Sequence, residues 1–134
     1  MEIMAEIQVG LADEADFVVE ERFTATHIGS GSIFVLATPS MIGFMERLAR
    51  DLLAQHLPEG YSSVGAWVDV HHLAPTPLGA SVRVRCEVVE VNGRRVLFDV
   101  QAWDAYEKVG EGRHQRVVID VARFLQRLQS KSAS

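Results

Sequence analysis

The chain has 134 residues and a formal net charge of −5, which suits one domain, expected over residues 1–134, with a substantial hydrophobic core. The negative charge argues against a nucleic-acid-binding groove, although it leaves room for a small basic pocket that takes an anionic ligand. No signal-peptide pattern and no apolar run near the roughly 20 residues of a membrane span is found, so we expect a soluble cytoplasmic protein that does not enter the membrane.

The first predicted elements are a strand and a loop. Residues 16 to 27 contain short apolar runs and β-branched residues, which indicates a strand. The segment "HIGSGSIF" follows, and its glycines and serines indicate a loop.

One long helix is predicted over "TPSMIGFMERLARDLLAQHLPEG", with Thr38 as its N-cap and Pro39 in the first helical position. Pro58 and Gly60 close the segment. Apolar side chains recur every three or four residues and form a broad stripe, which is typical of a helix packed on a sheet.

After the helix the apolar period changes to two, which predicts antiparallel strands joined in part by an Asn-Gly turn at 91 to 94. The order of elements therefore predicts an α+β domain in which a sheet wraps one helix. Residues 129 to 134 are small and polar, and we expect a frayed tail. The four strands are predicted at 62 to 72, 81 to 91, 95 to 105 and 113 to 124.

Glu46 is an unusual residue on the predicted helix. At about 100° per residue it lies at the edge of the apolar stripe, near Ile42 and Leu53. A carboxylate there is partly desolvated and suited to proton transfer. The alternative is a border glutamate that reaches water or pairs with Arg50.

Thr38 has two compatible interpretations. Helix capping explains it fully, yet the start of a helix also presents free backbone N–H groups and the positive end of the helix dipole. Those groups could hold a thioester carbonyl and its developing oxyanion.

Strand alternation places His72 at the end of the row that faces the helix, whereas His71 points outward. Gly65 lies inside the same strand, which often marks a bulge or a close approach of ligand. Arg116 shares a strand face with His114 and could meet an anionic ligand. The alternative for His72 is a histidine packed in the core, and the alternative for Arg116 is an arginine exposed at the surface.

The single cysteine, Cys86, excludes an intrachain disulfide and a two-cysteine zinc motif, and its strand position indicates core packing. No other pattern predicts a metal site or a Gly-rich phosphate loop.

Four segments together resemble the hotdog-fold thioesterases, in particular the fluoroacetyl-CoA thioesterase group. The resemblance covers residues 15 to 128, and its more specific parts are H-x-A-P-T-P-x-G followed by G-x-H-x-R. It implies a long central helix wrapped by an antiparallel sheet and a dimer with an acyl-CoA site at the subunit interface. The segments are "LATPSMIGFMERLA", "VGAWVDVHHLAPTPLGASVRVRCEV", "VNGRRVLFDVQAWD" and "GEGRHQRVVIDVARF".

Carried over by residue, the resemblance implies catalytic roles for Thr38, Glu46 and His72, and substrate contacts for Gly65 and Arg116. The segment before the helix departs from the fluoroacetyl-specific pattern, because it is short. Its one aromatic residue is Phe34, which we take as a further substrate contact. We therefore expect hydrolysis of a small acyl thioester other than the fluorinated one.

The expected reaction is acyl-CoA hydrolysis by a homodimer or a dimer of dimers, with coenzyme A as part of the substrate and no cofactor. Thr38 and Glu46 lie eight residues apart, about 12 Å along a helix, so we expect a site completed by the substrate or the partner chain. The alternatives are a non-catalytic acyl-CoA or small-ligand binding domain and an enoyl-thioester hydratase using Asp51 and His56.

Overall fold

In the computed structural model, which describes residues 2–132, one long helix packs against a five-stranded antiparallel sheet. The strand order is β1-β3-β4-β5-β2, so β1 and β2 form the two edges. The predicted α+β arrangement is confirmed. The strands are β1 (Ala12–Val18), β2 (Tyr61–His72), β3 (Ser81–Asn92), β4 (Arg95–Trp103) and β5 (Lys108–Asp120), and the helices are α1 (Ala25–Ile28), α2 (Thr38–Ala54) and α3 (Val121–Ser132).

Helix α2 is the centre of the core and contacts all five strands. Its predicted apolar stripe is buried, because residues three and four apart share one face of a helix. Within residues 2–132, no helix is both long and apolar enough to cross a membrane. The buried residues of α2 are Met41, Phe44, Met45, Leu48, Ala49, Leu52 and Leu53.

The sheet covers this stripe with alternating side chains. Val82, Val84 and Cys86 of β3 are fully buried, as period-two alternation requires when one face meets a helix. Burial raises the pKa of the Cys86 thiol to about 12, so it acts as a small apolar group in the core. The predicted tight turn is confirmed, with Gly93 at φ 61° between paired Asn92 and Arg95.

The strand predicted at 16 to 27 is wrong beyond Val18. The chain instead forms a 3-10 turn at Glu21–Phe23 and the single helical turn α1. Thr24 produces this change: its hydroxyl donates to the carbonyl of Glu21 at 2.7 Å and accepts from the N–H of His27 at 3.4 Å. A local side-chain cap therefore outweighs the β-propensity of the surrounding residues.

The C-terminal predictions are also partly wrong. The last strand ends at Asp120 rather than at 124, and α3 occupies most of the expected frayed tail, up to Ser132. The Asp120 carboxylate accepts from the N–H of Arg123 at 3.2 Å and caps α3. Residues 133 and 134 of the predicted tail lie outside the described part of the chain.

Candidate active site

Thr38 is the first residue of α2, and its hydroxyl oxygen lies 2.7 Å from Nδ1 of His72 at the end of β2. The prediction of Thr38 as N-cap is wrong, since Ala37 holds that position and its side chain makes no capping hydrogen bond. The hydroxyl that capping would use is bonded to His72. Within residues 2–132, the first N–H groups of α2 therefore have no side-chain acceptor.

The turn after His72 fixes this contact. The N–H of Leu36 donates to the carbonyl of Thr76 at 2.8 Å, and the N–H of Leu78 donates to the carbonyl of Phe34 at 3.1 Å. These bonds join the proline-containing turn to the segment that leads into α2. His72 and Thr38 thus belong to two chain segments that are bonded to each other.

His72 is partly buried, and this sets its protonation. Burial lowers the pKa of the imidazole, while the backbone of Ala74 opposes the shift. Its Nε2 atom is buried and has no hydrogen-bond partner among residues 2–132. The neutral ring can accept from the Thr38 hydroxyl and present Nε2–H, or donate to it and present Nε2 as a base.

A second cluster surrounds Gly65 in the middle of β2. A Cβ atom on Gly65 would lie 2.9 Å from Glu46 Oε2, 3.4 Å from His114 Cε1 and 3.6 Å from Arg116 Nη1. The missing side chain therefore leaves the space in which the Glu46 carboxylate sits. A β-bulge between Gly65 and Trp67 marks the same place, as predicted for a strand glycine.

Arg116 is buried in this cluster, with 5 % of its surface exposed, so the surface-arginine interpretation is wrong. Its Nε donates to Ser63 Oγ at 2.8 Å and its Nη2 donates to the Ser63 carbonyl at 3.0 Å. Sequence reasoning missed Ser63, although it lies two residues before Gly65 on the same strand face. Two residues of β2 thus shape the surroundings of one guanidinium.

His114 holds the other end of Arg116. Arg116 Nη1 lies 3.2 Å from His114 Nε2, and a guanidinium can only donate, so this nitrogen must accept. The ring proton is then on Nδ1, which donates to the Trp67 carbonyl at 2.9 Å. Burial lowers the pKa of His114 and keeps the ring neutral, which this arrangement requires.

The charges of the second cluster balance in part. Burial lowers the pKa of Arg116, and the negative charge of Glu46 opposes that shift. Glu46 is half-buried at the edge of the apolar stripe, as the helical wheel predicts. A fixed cation and a carboxylate therefore face the space beside Gly65.

The two clusters are separate within one chain. They lie eight residues apart on α2, about 12 Å along its axis. A cleft of about 370 Å³ beside Thr38 and His72 has neither Glu46 nor Gly65 in its lining. A larger cavity of about 550 Å³ lies near Trp103 and contains none of the predicted site residues.

Three other residues lie away from both clusters. Phe34 is half-exposed and is not part of the cleft wall, so its contact with substrate stays a prediction. Asp51 pairs with the neighbouring Arg50, and His56 lies 3.4 Å from a carboxylate oxygen of Glu6. Asp51 and His56 therefore give no support to the hydratase interpretation.

The fold and the two clusters define a hotdog-fold protein of the thioester hydrolase class. A model of the fluoroacetyl-CoA-specific thioesterase family matches residues 19–122, and the chain belongs to this family. The predicted hotdog fold and thioester hydrolase class are thereby confirmed, while the individual roles of the site residues stay predictions.

Known proteins similar to this chain agree with that assignment. The fluoroacetyl-CoA thioesterase of Streptantibioticus cattleyicolor is 34 % identical over 132 residues, which is 94 % of this chain and 95 % of that protein. A point mutant of the thioesterase FlK in complex with acetyl-CoA is 34 % identical with a TM-score of 0.87, covering 93 % and 98 % of the two chains. A hot-dog-like protein from Thermanaerovibrio acidaminovorans is 30 % identical with a TM-score of 0.90, covering 98 % and 97 %.

Proposed function

We propose that this chain hydrolyses a small acyl-CoA to a carboxylate and coenzyme A at a site that two protomers build together. The observation that carries the proposal is the division of polar groups on α2 into a Thr38–His72 pair and a cluster around Glu46. Coenzyme A enters as part of the substrate, and the acid–base groups of the chain need no further cofactor. The solved relative with bound acetyl-CoA supports this substrate class.

The exposed edge of the sheet supports a homodimer. Residues 65–69 of β2 are all exposed, and Trp67 and Val68 present 49 % and 44 % of their surfaces to solvent. An edge strand with exposed apolar side chains is suited to pairing with a second copy. Antiparallel pairing about this stretch would bring the His72 end of one β2 beside the Gly65 end of the other.

The proposed reaction begins with water attacking the thioester carbonyl while Glu46 accepts the water proton. The negative charge that develops on the carbonyl oxygen is stabilised by the fixed Arg116 cation and by backbone N–H groups near Gly65 or the start of α2. The C–S bond then breaks and the thiolate takes a proton from the Thr38–His72 pair. The carboxylic acid product returns its proton to that pair as it becomes the carboxylate, and Glu46 releases its proton to solvent. The products are the carboxylate and the thiol.

A second route starts with direct attack by a Glu46 oxygen. The carbonyl would form a mixed anhydride with Glu46 and release the thiol, and water would then open the anhydride. A single turnover in ¹⁸O-labelled water tests for this route. Label in the Glu46 carboxylate shows that water opened an anhydride at the Glu46 carbonyl, because direct attack of water on the thioester labels the product alone.

Mixing two inactive variants tests the shared site. Thr38→Ala and Glu46→Gln each remove one half, and heterodimers carry one site with both halves intact. Random exchange should restore up to about a quarter of wild-type activity in a symmetric dimer. No recovery after exchange, shown by mass spectrometry of tagged chains, would place the site within one protomer.

Substrate choice needs a panel of acyl-CoA thioesters. The short segment before α2 supports a small non-fluorinated acyl group, because Phe34 is its only aromatic residue and is half-exposed. We expect acetyl-CoA or another short acyl-CoA to have a kcat/KM at least equal to that of fluoroacetyl-CoA. Thiol release measures the rate for each substrate. A strong preference for fluoroacetyl-CoA would contradict the proposed choice of a non-fluorinated acyl group.

A further inference from the structure

Three arginines surround one cavity at the end of β5. Arg94 lies in the turn between β3 and β4, and Arg123 and Arg127 lie on α3. The cavity, which we call the arginine cavity, has a volume of about 460 Å³ and includes one acidic residue, Asp120, in its lining. Among residues 2–132 no ion pair involves any of the three arginines.

The absence of ion pairs at these three arginines contrasts with the rest of the described surface. The protein carries a net charge of −5, and most of its other exposed arginines lie against carboxylates. Three positive charges against one acidic residue are therefore concentrated at this end of the molecule, which is suited to an anionic ligand. The paired arginines are Arg22, Arg50, Arg83, Arg85 and Arg113.

The walls of the arginine cavity are anchored to the sheet. The Arg94 guanidinium lies 5.6 Å from the ring centroid of Tyr61. The backbone carbonyl of Arg94 accepts a hydrogen bond from the N–H of Val118 at 2.9 Å. Asp120 is occupied in capping α3 through the N–H of Arg123. The acid thus holds the helix that carries two of the arginines.

The arginine cavity lies within reach of the proposed reaction centre. Arg116 belongs to that centre, and the next four residues of β5 line the cavity. One to four strand residues span roughly 3 to 13 Å. In coenzyme A the pantetheine arm separates the thioester from the diphosphate and the 3′-phosphate, so a phosphate subsite belongs some distance from the reacting carbonyl.

We propose that the arginine cavity binds the phosphate groups of coenzyme A. Guanidinium groups match phosphate oxygens with paired hydrogen bonds and remain charged throughout the physiological range. The inference rests on the proposed acyl-CoA substrate and assigns to this cavity the recognition of its nucleotide end. The cavity supplies binding energy, and the groups around Glu46 perform the chemistry.

Kinetics of the Arg94→Gln/Arg123→Gln/Arg127→Gln variant test this subsite. Two substrates are compared, acetyl-CoA and S-acetyl-N-acetylcysteamine, which carries the same thioester without phosphate. We expect KM for acetyl-CoA to rise about tenfold or more, because charge-assisted hydrogen bonds are lost, with kcat unchanged. The kcat/KM for the phosphate-free thioester should stay at the wild-type value, and an equal change for both substrates, or none, would overturn the proposal.

A control variant, Arg22→Gln/Arg83→Gln/Arg113→Gln, changes the net charge equally at arginines that have acidic partners, and it should leave KM for acetyl-CoA unchanged. Calorimetric binding of adenosine 3′,5′-bisphosphate measures the cavity without turnover. Wild-type binding that weakens in the arginine-cavity variant and with added salt supports the subsite even if no thioester is hydrolysed. Hydrolysis of acetyl-CoA with no binding of the bisphosphate would refute the phosphate subsite and still support the proposed thioesterase function.

Discussion

The Thr38 hydroxyl and Nδ1 of His72 lie 2.7 Å apart across 34 residues of sequence. Each residue has an ordinary explanation, since one begins a helix and the other ends a strand. Their contact changes the meaning of both, because it removes the threonine from helix capping and gives it a basic partner of lowered pKa. We therefore expect the hydroxyl to take part in the reaction.

Replacing Thr38 tests this expectation. Thr38→Val keeps the β-branched shape but removes the hydroxyl, and we expect kcat to fall by about 10² to 10⁴, the range of a lost acid–base group. Thr38→Ser keeps the hydroxyl and should retain most of the activity. Thiol release measures the activity of both variants. An active Thr38→Val variant would show that the reaction does not require the Thr38 hydroxyl.

Glu46→Gln separates an enzyme from a binding domain. The amide keeps the shape of the side chain but cannot accept a proton or attack a carbonyl, so turnover should fall by at least about 10². Binding of acyl-CoA, measured by calorimetry, should stay within a few-fold of wild type. If the wild-type chain binds acyl-CoA but neither form releases thiol, the chain is a non-catalytic binder.

Gly65→Ala should damage the site without damaging the fold. Gly65 does not have a positive φ, so its backbone accepts alanine, but the new Cβ would lie 2.9 Å from Glu46 Oε2. The carboxylate must move, and kcat should fall while Tm changes little. Gly43→Ala is a matched control: apart from its chain neighbours and the backbone of α2, no atom of residues 2–132 lies within 4 Å of its Cβ, and it should stabilise α2 by about 0.5 to 1 kcal/mol.

Two variants of His114 separate its contacts. Glutamine can keep an acceptor near the position of Nε2 for Arg116, whereas asparagine keeps a donor near Nδ1 for the Trp67 carbonyl. If Arg116 must be held in place, His114→Asn should lower kcat about tenfold more than His114→Gln, the value of one charged hydrogen bond. Equal activity of the two variants would limit His114 to a packing role.

The sequence predicts the elements whose signals are local and strong. Helix α2 follows from apolar spacing, and the β3–β4 turn follows from Asn-Gly. The C-terminal helix α3 was not predicted, because the alternating residues of β5 lead directly into it with no glycine or proline between them. Asp120, followed by Phe124, Leu125 and Leu128 at helical spacing, was the signal that could have revealed it.

The candidate site depends on contacts that no local pattern contains. The Thr38–His72 bond and the support of Arg116 by Ser63 and His114 join segments distant in sequence. Strand parity predicts that His114 and Arg116 share a face, but it cannot predict which of them donates to the other. That direction follows only when distances show a guanidinium against an imidazole nitrogen.

The final prediction concerns pH and stability. Burial lowers the folded-state pKa of His72 and of His114 below 6.5, the value expected in the unfolded chain. The two histidines therefore bind protons more readily in the unfolded chain. The contribution of the two neutral rings to stability is present above pH 6.5 and is lost as pH falls through the folded pKa values. The free energy of unfolding in urea should decrease between about pH 7.5 and about pH 5. His72→Asn retains a group near Nδ1 that can bond Thr38 but does not titrate, and its stability should depend less steeply on pH. Parallel curves for wild type and His72→Asn would mean that His72 titrates alike in the folded and unfolded chains.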